Sequence, residues 1–349
     1  MNNLPNNLTI KLIITGLLSL LLSCGGGGSF FTVPDTNGGT KILGVNFGTK
    51  VPSLIAFTRI YETGVGPNGD IFVMFPDGSH VNRLTNTPGD DNLPSFSPDG
   101  MFLAIVSNSL DTGWGNREVM VLSKPSKMLR MTEGGWQFDN VGLDWGPGFL
   151  LTGRLNTLIG APFDFIGLTK IYTGDGHEES VDTGFIASYS PSVSRDGKTI
   201  AFSARVNCPS EDDPGCGGNL DLFITFEGVP AQFTAFNGTP EDPINLINAQ
   251  FDYSGKHLVF QTNYWSDDWE IGLIDIEKFA WQFMCRLTDN PADDVEPCFD
   301  QSGDWVAFSS NRDGNFEIYK LHIASPSTDP TRLTNTPEDE HNPDWSMNY

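Results

Sequence analysis

The chain has 349 residues, 38% hydrophobic and 11% aromatic, so it can bury a large core and is too long for one small domain. Lys and Arg number 20 against 44 Asp and Glu, and a net charge of −24 excludes the broad basic surface that a phosphate backbone requires, so nucleic acid is not an expected partner. With 38 Gly, 23 Pro and 25 Phe, the composition is turn-rich and aromatic, which favours an all-β chain cut by many hairpins.

Residues 1–23 carry one charge, Lys11, and no acid, and they hold the apolar stretch Leu12–Leu22. That stretch is short for a membrane span and right for the core of a secretory signal. It ends in Leu21-Leu22-Ser23-Cys24, which resembles the bacterial lipobox. The resemblance implies cleavage before Cys24, acylation of its sulfur, and anchoring by buried methylenes rather than by spanning. Gly25-Gly-Gly-Gly28-Ser29 follows as a flexible tether within residues 24–52. Gly25, where an Asp would retain a lipoprotein at the inner membrane, implies sorting to the outer membrane of a Gram-negative cell.

From residue 53 the chain repeats itself with a period near fifty. Arg83-Leu-Thr85 recurs as Arg286-Leu-Thr288 and Arg332-Leu-Thr334, with weaker copies at Arg130-Met-Thr132 and Gln232-Phe-Thr234 and a diverged one near Thr183. Each copy precedes an apolar strand, a tight turn such as Asp99-Gly100, Asp196-Gly197 or Ser302-Gly303, and a second apolar strand. Glycine supplies the positive φ these turns need. A third strand, such as Phe316–Leu321, and a fourth ending in Arg-Leu-Thr complete four antiparallel strands per repeat, which is one propeller blade.

The opening segment, 53–85, has three strands, and the closing segment, 335–349, has one. The C-terminal strand around Asn342–Ser346 is therefore expected to pair with Ile55–Phe57, completing the first blade and removing a free sheet edge. The prediction is a six-bladed β-propeller of four-stranded antiparallel blades over 53–349. The residues quoted, with Ser309-Ser-Asn-Arg-Asp-Gly-Asn-Phe-Glu-Ile-Tyr319, resemble the TolB-like β-propeller repeat. Residues 25–52 are too few for the N-terminal α/β domain that TolB carries, and TolB is soluble whereas this chain looks lipidated, so the resemblance does not extend to a role in the Tol-Pal system.

Loops entering the innermost strand and loops between the second and third strands share one face. That face is expected to carry an acidic ring including Asp90, Asp91, Asp139, Asp242, Asp293, Asp294 and Glu340, with Trp114, Trp265 and Trp269 in or beside the same loops. These are the candidate partner-binding residues, the aromatics as anchors for a protein or a sugar ring. Asp91, Asp139, Asp294 and Glu340 are the oxygen ligands a Ca²⁺ ion at the channel mouth would use. Short acids in such loops also cap turns, and Trp269 can equally begin a strand.

Catalytic signatures are absent: there is no Gly-x-Ser-x-Gly elbow and no His-Glu-x-x-His pair, and Gly64–Gly69 leads into a strand rather than a dinucleotide-binding helix. Cys208 and Cys216 bracket one loop and are expected to form a disulfide, while a Cys285–Cys298 bridge is left open. The reading is a monomeric, membrane-anchored, non-catalytic scaffold that binds an envelope protein or glycan. The alternative is a polysaccharide lyase or hydrolase using carboxylates such as Asp91, Asp139 and Asp294.

Overall fold

The computed structural model describes residues 32–34, 40–42, 53–64, 66–108, 117–124, 127–132, 138–156, 166–185, 188–205, 219–226, 228–236, 243–278, 284–326 and 329–346. Cys24, Trp114, Asp242, Cys208, Cys216 and the apolar Leu158–Phe165 stretch lie outside them, as does the side chain of Asp139. Ahead of the main body, β1 (Thr32–Pro34) and β2 (Thr40–Ile42) pair as a short antiparallel ribbon.

The main body is a six-bladed propeller, each blade a four-stranded antiparallel sheet. In blade 1, β26 (Asp339–Trp345) is innermost, followed by β3 (Ile55–Thr63), β4 (Gly66–Met74) and β5 (Asn82–Arg83). Blade 2 comprises β6 (Asp91–Phe96), β7 (Leu103–Ser107), β8 (Glu118–Lys124) and β9 (Lys127–Arg130). Blade 3 comprises β10 (Phe138–Gly146), β11 (Phe149–Asn156), β12 (Ile166–Tyr172) and β13 (Glu178–Val181). Blade 4 comprises β14 (Ser188–Val193), β15 (Ile200–Ala204), β16 (Asp221–Phe226) and β17 (Val229–Gln232). Blade 5 comprises β18 (Leu246–Phe251), β19 (His257–Thr262), β20 (Glu270–Asp275) and β21 (Cys285–Arg286), and blade 6 comprises β22 (Asp294–Phe299), β23 (Trp305–Ser310), β24 (Glu317–His322) and β25 (Thr331–Arg332).

The closure expected from the two chain ends is present: Trp345 pairs with Ile55, Asp344 with Ala56 and Glu340 with Arg59. The apolar core is divided among the seams between blades. Phe57, Phe72 and Met74 of blade 1 pack with Ala307, Ile318 and Leu333 of blade 6. Phe149 and Leu168 of blade 3 meet Phe202 and Phe223 of blade 4, and the other four seams repeat the scheme. A single blade buries only half of each cluster, so no blade has a complete core without its neighbours. The turns form as the glycines require, with φ of 64° at Gly100, 74° at Gly197, 70° at Gly255 and 74° at Gly303. Cys285 is exposed, and Cys298 is a buried free thiol, so the two are not bridged to each other.

Candidate functional site

The Arg-Leu-Thr repeat is a clamp between the third and fourth strands. In each of five blades the third strand carries an acid, at its first residue in Glu118, Asp221, Glu270 and Glu317 and midway along it in Asp70, all buried. The threonine hydroxyl accepts the amide of the next residue, from Ile71, Val119, Leu222, Ile271 and Ile318, at 2.8–3.0 Å. The arginine bonds the acid, as in Arg286 Nη2 to Glu270 Oε1 at 2.6 Å and Arg332 Nη2 to Glu317 Oε1 at 2.8 Å, and as Arg83 does with Asp70. Its Nε donates to the carbonyl of its own motif threonine at 2.7 Å in four blades. In blade 4 Gln232 stands in for the arginine, 3.2 Å from Asp221. In blade 3 the strand register puts Ile166 at the acid's position and Val181 at the arginine's, so both charges are replaced together.

The acids at the loop face form a second tier of the same latch. Asp91 and Asp294 open their innermost strands, Glu340 is second in its own, and all three are fully buried. Thr87 Oγ1 bonds Asp91 at 2.9 Å, Asn290 Nδ2 bonds Asp294 at 2.6 Å, and Thr336 Oγ1 bonds Glu340 at 3.2 Å, tying each acid to the incoming loop. Arg312 holds both oxygens of Asp294 at 2.9 Å, and Arg59 holds Glu340. Asp90 and Asp293 cap the preceding blade, accepting the amides of Gly69 at 2.9 Å and Trp269 at 3.2 Å. These side chains are directed into the seams, and among the described residues no group of three or more His, Cys, Asp or Glu converges where a metal could be held. Burial raises Asp91 and, against the pull of Arg83, lifts Asp70 to about 6.

What the loop face exposes is a different set. Asp267, Asp289 and Asp339 are exposed on blades 5, 6 and 1, with the side chains of Asp289 and Asp313 showing 81% and 49% of their surface. At the blade 4–5 seam Tyr264, Trp265 and Phe236 make a cluster: Tyr264 lies 4.6 Å from Phe236 and edge-on to Trp265 at 5.7 Å, with Tyr264 36% exposed. Trp265 and Trp269 are both half-buried, and Trp269 directly precedes the third strand. Tyr264 and Phe236 were not singled out from sequence; only their pairing across the blade 4–5 seam distinguishes them.

Beneath this face runs the central channel. Midway along five innermost strands a non-glycine residue is left-handed: Leu93, Ser190, Asn248, Glu296 and Asn342, with φ between 46° and 56°. Proline follows four of them, and the bulge turns their side chains toward the axis. A hydrogen-bonded belt runs from Ser190 to Asn248 at 2.7 Å, on to Gln261 at 2.8 Å, and from Gln261 to the Glu296 amide at 2.8 Å. Glu296 then meets His341 at 3.1 Å and the Asn342 amide at 2.7 Å. Leu93, Val141 and Leu143 form the apolar remainder of the wall. Burial pushes Glu296 up, but bonds from His341, Asn342 and Ser309 outweigh it and leave it low; His341 is correspondingly raised against its own burial.

Asp144 and Asp344 line both spaces of the channel, one of about 120 Å³ and one of about 70 Å³. Asp344 accepts the Phe96 amide at 2.7 Å and Gln250 Nε2 at 3.1 Å, while Asp144 accepts the Val193 amide at 2.7 Å. Each thus caps a channel-facing amide of the next blade. Burial raises both acids, Asp344 to about 7, with Asp144 adding to the effect. Spaces of this size can hold several water molecules.

No protein-family model and no curated protein matches the sequence. Solved structures do match in fold. TolB from Acinetobacter baumannii superposes with a TM-score of 0.65 at 13% identity, over 84% of this chain and 67% of that one. Hydrazine synthase from Kuenenia stuttgartiensis gives 0.67 at 13% identity over 85% of this chain, which spans about half (47%) of its length. A putative TolB from Agrobacterium tumefaciens gives 0.57 at 15% identity, over 86% and 99% of the two chains. At these identities the likeness establishes the six-bladed propeller related to TolB-type propellers.

Proposed function

We propose that this chain is an exported, lipid-anchored propeller whose loop face over blades 5, 6 and 1 docks a cationic surface of an envelope protein. The observation that carries the reading is one loop face that exposes Asp267 and Asp289 by the partly exposed Tyr264–Trp265–Phe236 cluster and continues the acidic surface to Asp313 and Asp339 on blades 6 and 1. Acids steer and select a cationic partner, and a preformed aromatic anchor supplies burial without ordering flexible side chains. The docking set first read from sequence is narrowed by this geometry, because Asp91, Asp294 and Glu340 reach no solvent. The same burial weakens the polysaccharide-cleaving alternative, since Asp91 and Asp294 have no access to a substrate.

Proximity cross-linking in intact envelopes tests the proposal, comparing wild type with the combined Asp267→Asn, Asp289→Asn and Asp339→Asn variant and with Tyr264→Ala. Loss of a captured basic protein in both, with capture in wild type falling as salt rises, supports the face. Unchanged capture in both variants refutes it, and capture of glycan alone replaces the protein partner by a saccharide. The anchor is tested separately by Cys24→Ala, which moves the chain from the membrane to the soluble fraction if Cys24 is acylated.

A further inference from the structure

The seam that closes the ring joins blade 6 to the C-terminal strand of blade 1, and two glutamates meet inside it. Glu317 opens the third strand of blade 6, Glu340 is the second residue of the innermost strand of blade 1, and neither side chain has any exposed surface. Each has one oxygen matched. Glu317 Oε1 takes Arg332 at 2.8 Å and the Thr336 amide at 2.6 Å, while Glu340 Oε1 takes Arg59 Nε at 2.7 Å and Thr336 at 3.2 Å. Each also has one buried oxygen, Oε2, with no hydrogen-bond donor. Thr336 joins the two carboxyl groups, its amide on Glu317 and its hydroxyl on Glu340, and the two side chains interact directly. Two carboxylates cannot bond without a hydrogen, and two carboxylates buried in one seam repel. One proton between them resolves both problems.

We propose that Glu317 and Glu340 share a single proton, making the ring-closing seam a latch that holds in mildly acidic surroundings and weakens as that proton leaves. Other charges facing the pair do not supply it. Arg59 and Arg332 are on the far oxygens, Asp339 and His341 flank Glu340 on its own strand, His341 is turned to Glu296, and Asp313 faces Tyr319 and Arg332. Burial, with Glu317 adding to it and the Thr334 hydroxyl and Arg59 opposing, raises Glu340 to about 7, so the proton departs within the range an envelope protein meets. The corresponding acids of the blade 1–2 seam show the contrast: both oxygens of Asp70 and of Asp91 have donors, from Arg83, Thr85, Thr87 and Ser107. Glu270 of the blade 5–6 seam also has an unmatched Oε2, but its neighbour Asp294 has donors on both oxygens; among the described residues the blade 6–1 seam alone leaves an unmatched oxygen on both acids, at the place where the two chain ends meet.

Glu340→Gln tests this, because its amide can donate to Glu317 permanently while its carbonyl still accepts from Arg59. Thermal unfolding of the full chain is followed from pH 5 to pH 8.5 for wild type, Glu340→Gln and Glu317→Gln. The Gln variants are expected to gain on wild type as pH rises, by at least ~2 °C in Tm between the two limits. A difference from wild type that stays constant with pH overturns the proposal. Infrared difference spectra at pH 6 give a readout independent of folding strength. A protonated-carboxyl band present in wild type and missing from whichever Gln variant folds supports the shared proton, and an unchanged band refutes it.

Discussion

Replacing Arg286 by valine tests whether the repeated motif is a clamp. The substitution removes the 2.6 Å bond to Glu270 and the 2.7 Å bond to the Thr288 carbonyl, leaving a carboxylate with no exposed side-chain surface and only the Asn290 amide at 3.1 Å and the Thr288 hydroxyl beside it. Breaking one side of a buried pair costs about 3–5 kcal/mol. Because a quarter of the Arg286 side chain is exposed, water can partly replace it, which places the expected loss near the lower bound, about 2–3 kcal/mol. Blade 3 supplies the compensating change, since its register carries Ile166 and Val181 in place of acid and base. The Glu270→Ile, Arg286→Val double variant should therefore recover much of the loss, with a coupling of at least about 1.5 kcal/mol in a double-mutant cycle. Urea unfolding at pH 7, with matched m-values, is the assay. A single Arg286→Val cost below about 0.5 kcal/mol, or a double variant as unstable as the two singles summed, would refute the clamp.

Two further outcomes follow from the seams and the channel. Asp344 has its folded value raised to about 7 from 3.8, so its contribution to stability is complete below about pH 4 and is lost as pH climbs through 7. Asp344→Asn should thus be weaker than wild type at pH 5, where its second acceptor is missing for Gln250, and close that gap by pH 8.5; a gap that widens with pH in thermal unfolding contradicts the assignment. Gly78, at φ 81°, would place a Cβ 2.5 Å from the Leu333 carbonyl of blade 6, whereas Gly255, at φ 70°, has nothing nearer than 3.8 Å. Gly78→Ala should lose clearly more than the ~1 kcal/mol that positive φ alone costs at Gly255→Ala, and equal losses in urea titrations would show that the hairpin does not seat against the next blade as described.

The blades were readable because the signals that define them are local: a glycine at the tight turn, alternating apolar residues, and a motif returning every fifty residues. Ring closure was readable for a different reason, since three strands at one end and one at the other complete a sheet only together. The fate of the acids was not. Asp91 and Asp294 follow Asp90 and Asp293 in loops that read as solvated, yet the first of each dipeptide caps a neighbouring amide and the second is buried. Adjacent strand residues point to opposite sides, so an Asp-Asp pair divides between two roles that composition cannot separate. The clamp had a signal that went unused. An acid stands 11–16 positions before the basic or amide residue of the motif in Asp70 and Arg83, Glu118 and Arg130, Asp221 and Gln232, Glu270 and Arg286, and Glu317 and Arg332. Where that residue is lost, at Val181, the acid is lost with it.

The pairing pattern also explains how a strongly acidic chain directs its charge. Arg59, Arg83, Arg130, Arg286, Arg312 and Arg332 are each tied to an acid that the seams bury: Glu340, Asp70, Glu118, Glu270, Asp294 and Glu317. With only 20 basic residues against 44 acids, committing six arginines to buried acids leaves the whole surplus of −24 to the rest of the chain, where acids outnumber bases by a larger ratio. The field over blades 5, 6 and 1 is thus set by acids such as Asp267, Asp289 and Asp339, with Tyr264 exposed on blade 5. A cationic partner approaching this face meets long-range attraction first and the aromatic cluster second, so neutralising the acids should slow association while Tyr264→Ala should hasten dissociation. Stopped-flow kinetics separate the two steps, and a face on which both changes act only on dissociation would not be steering its partner by charge.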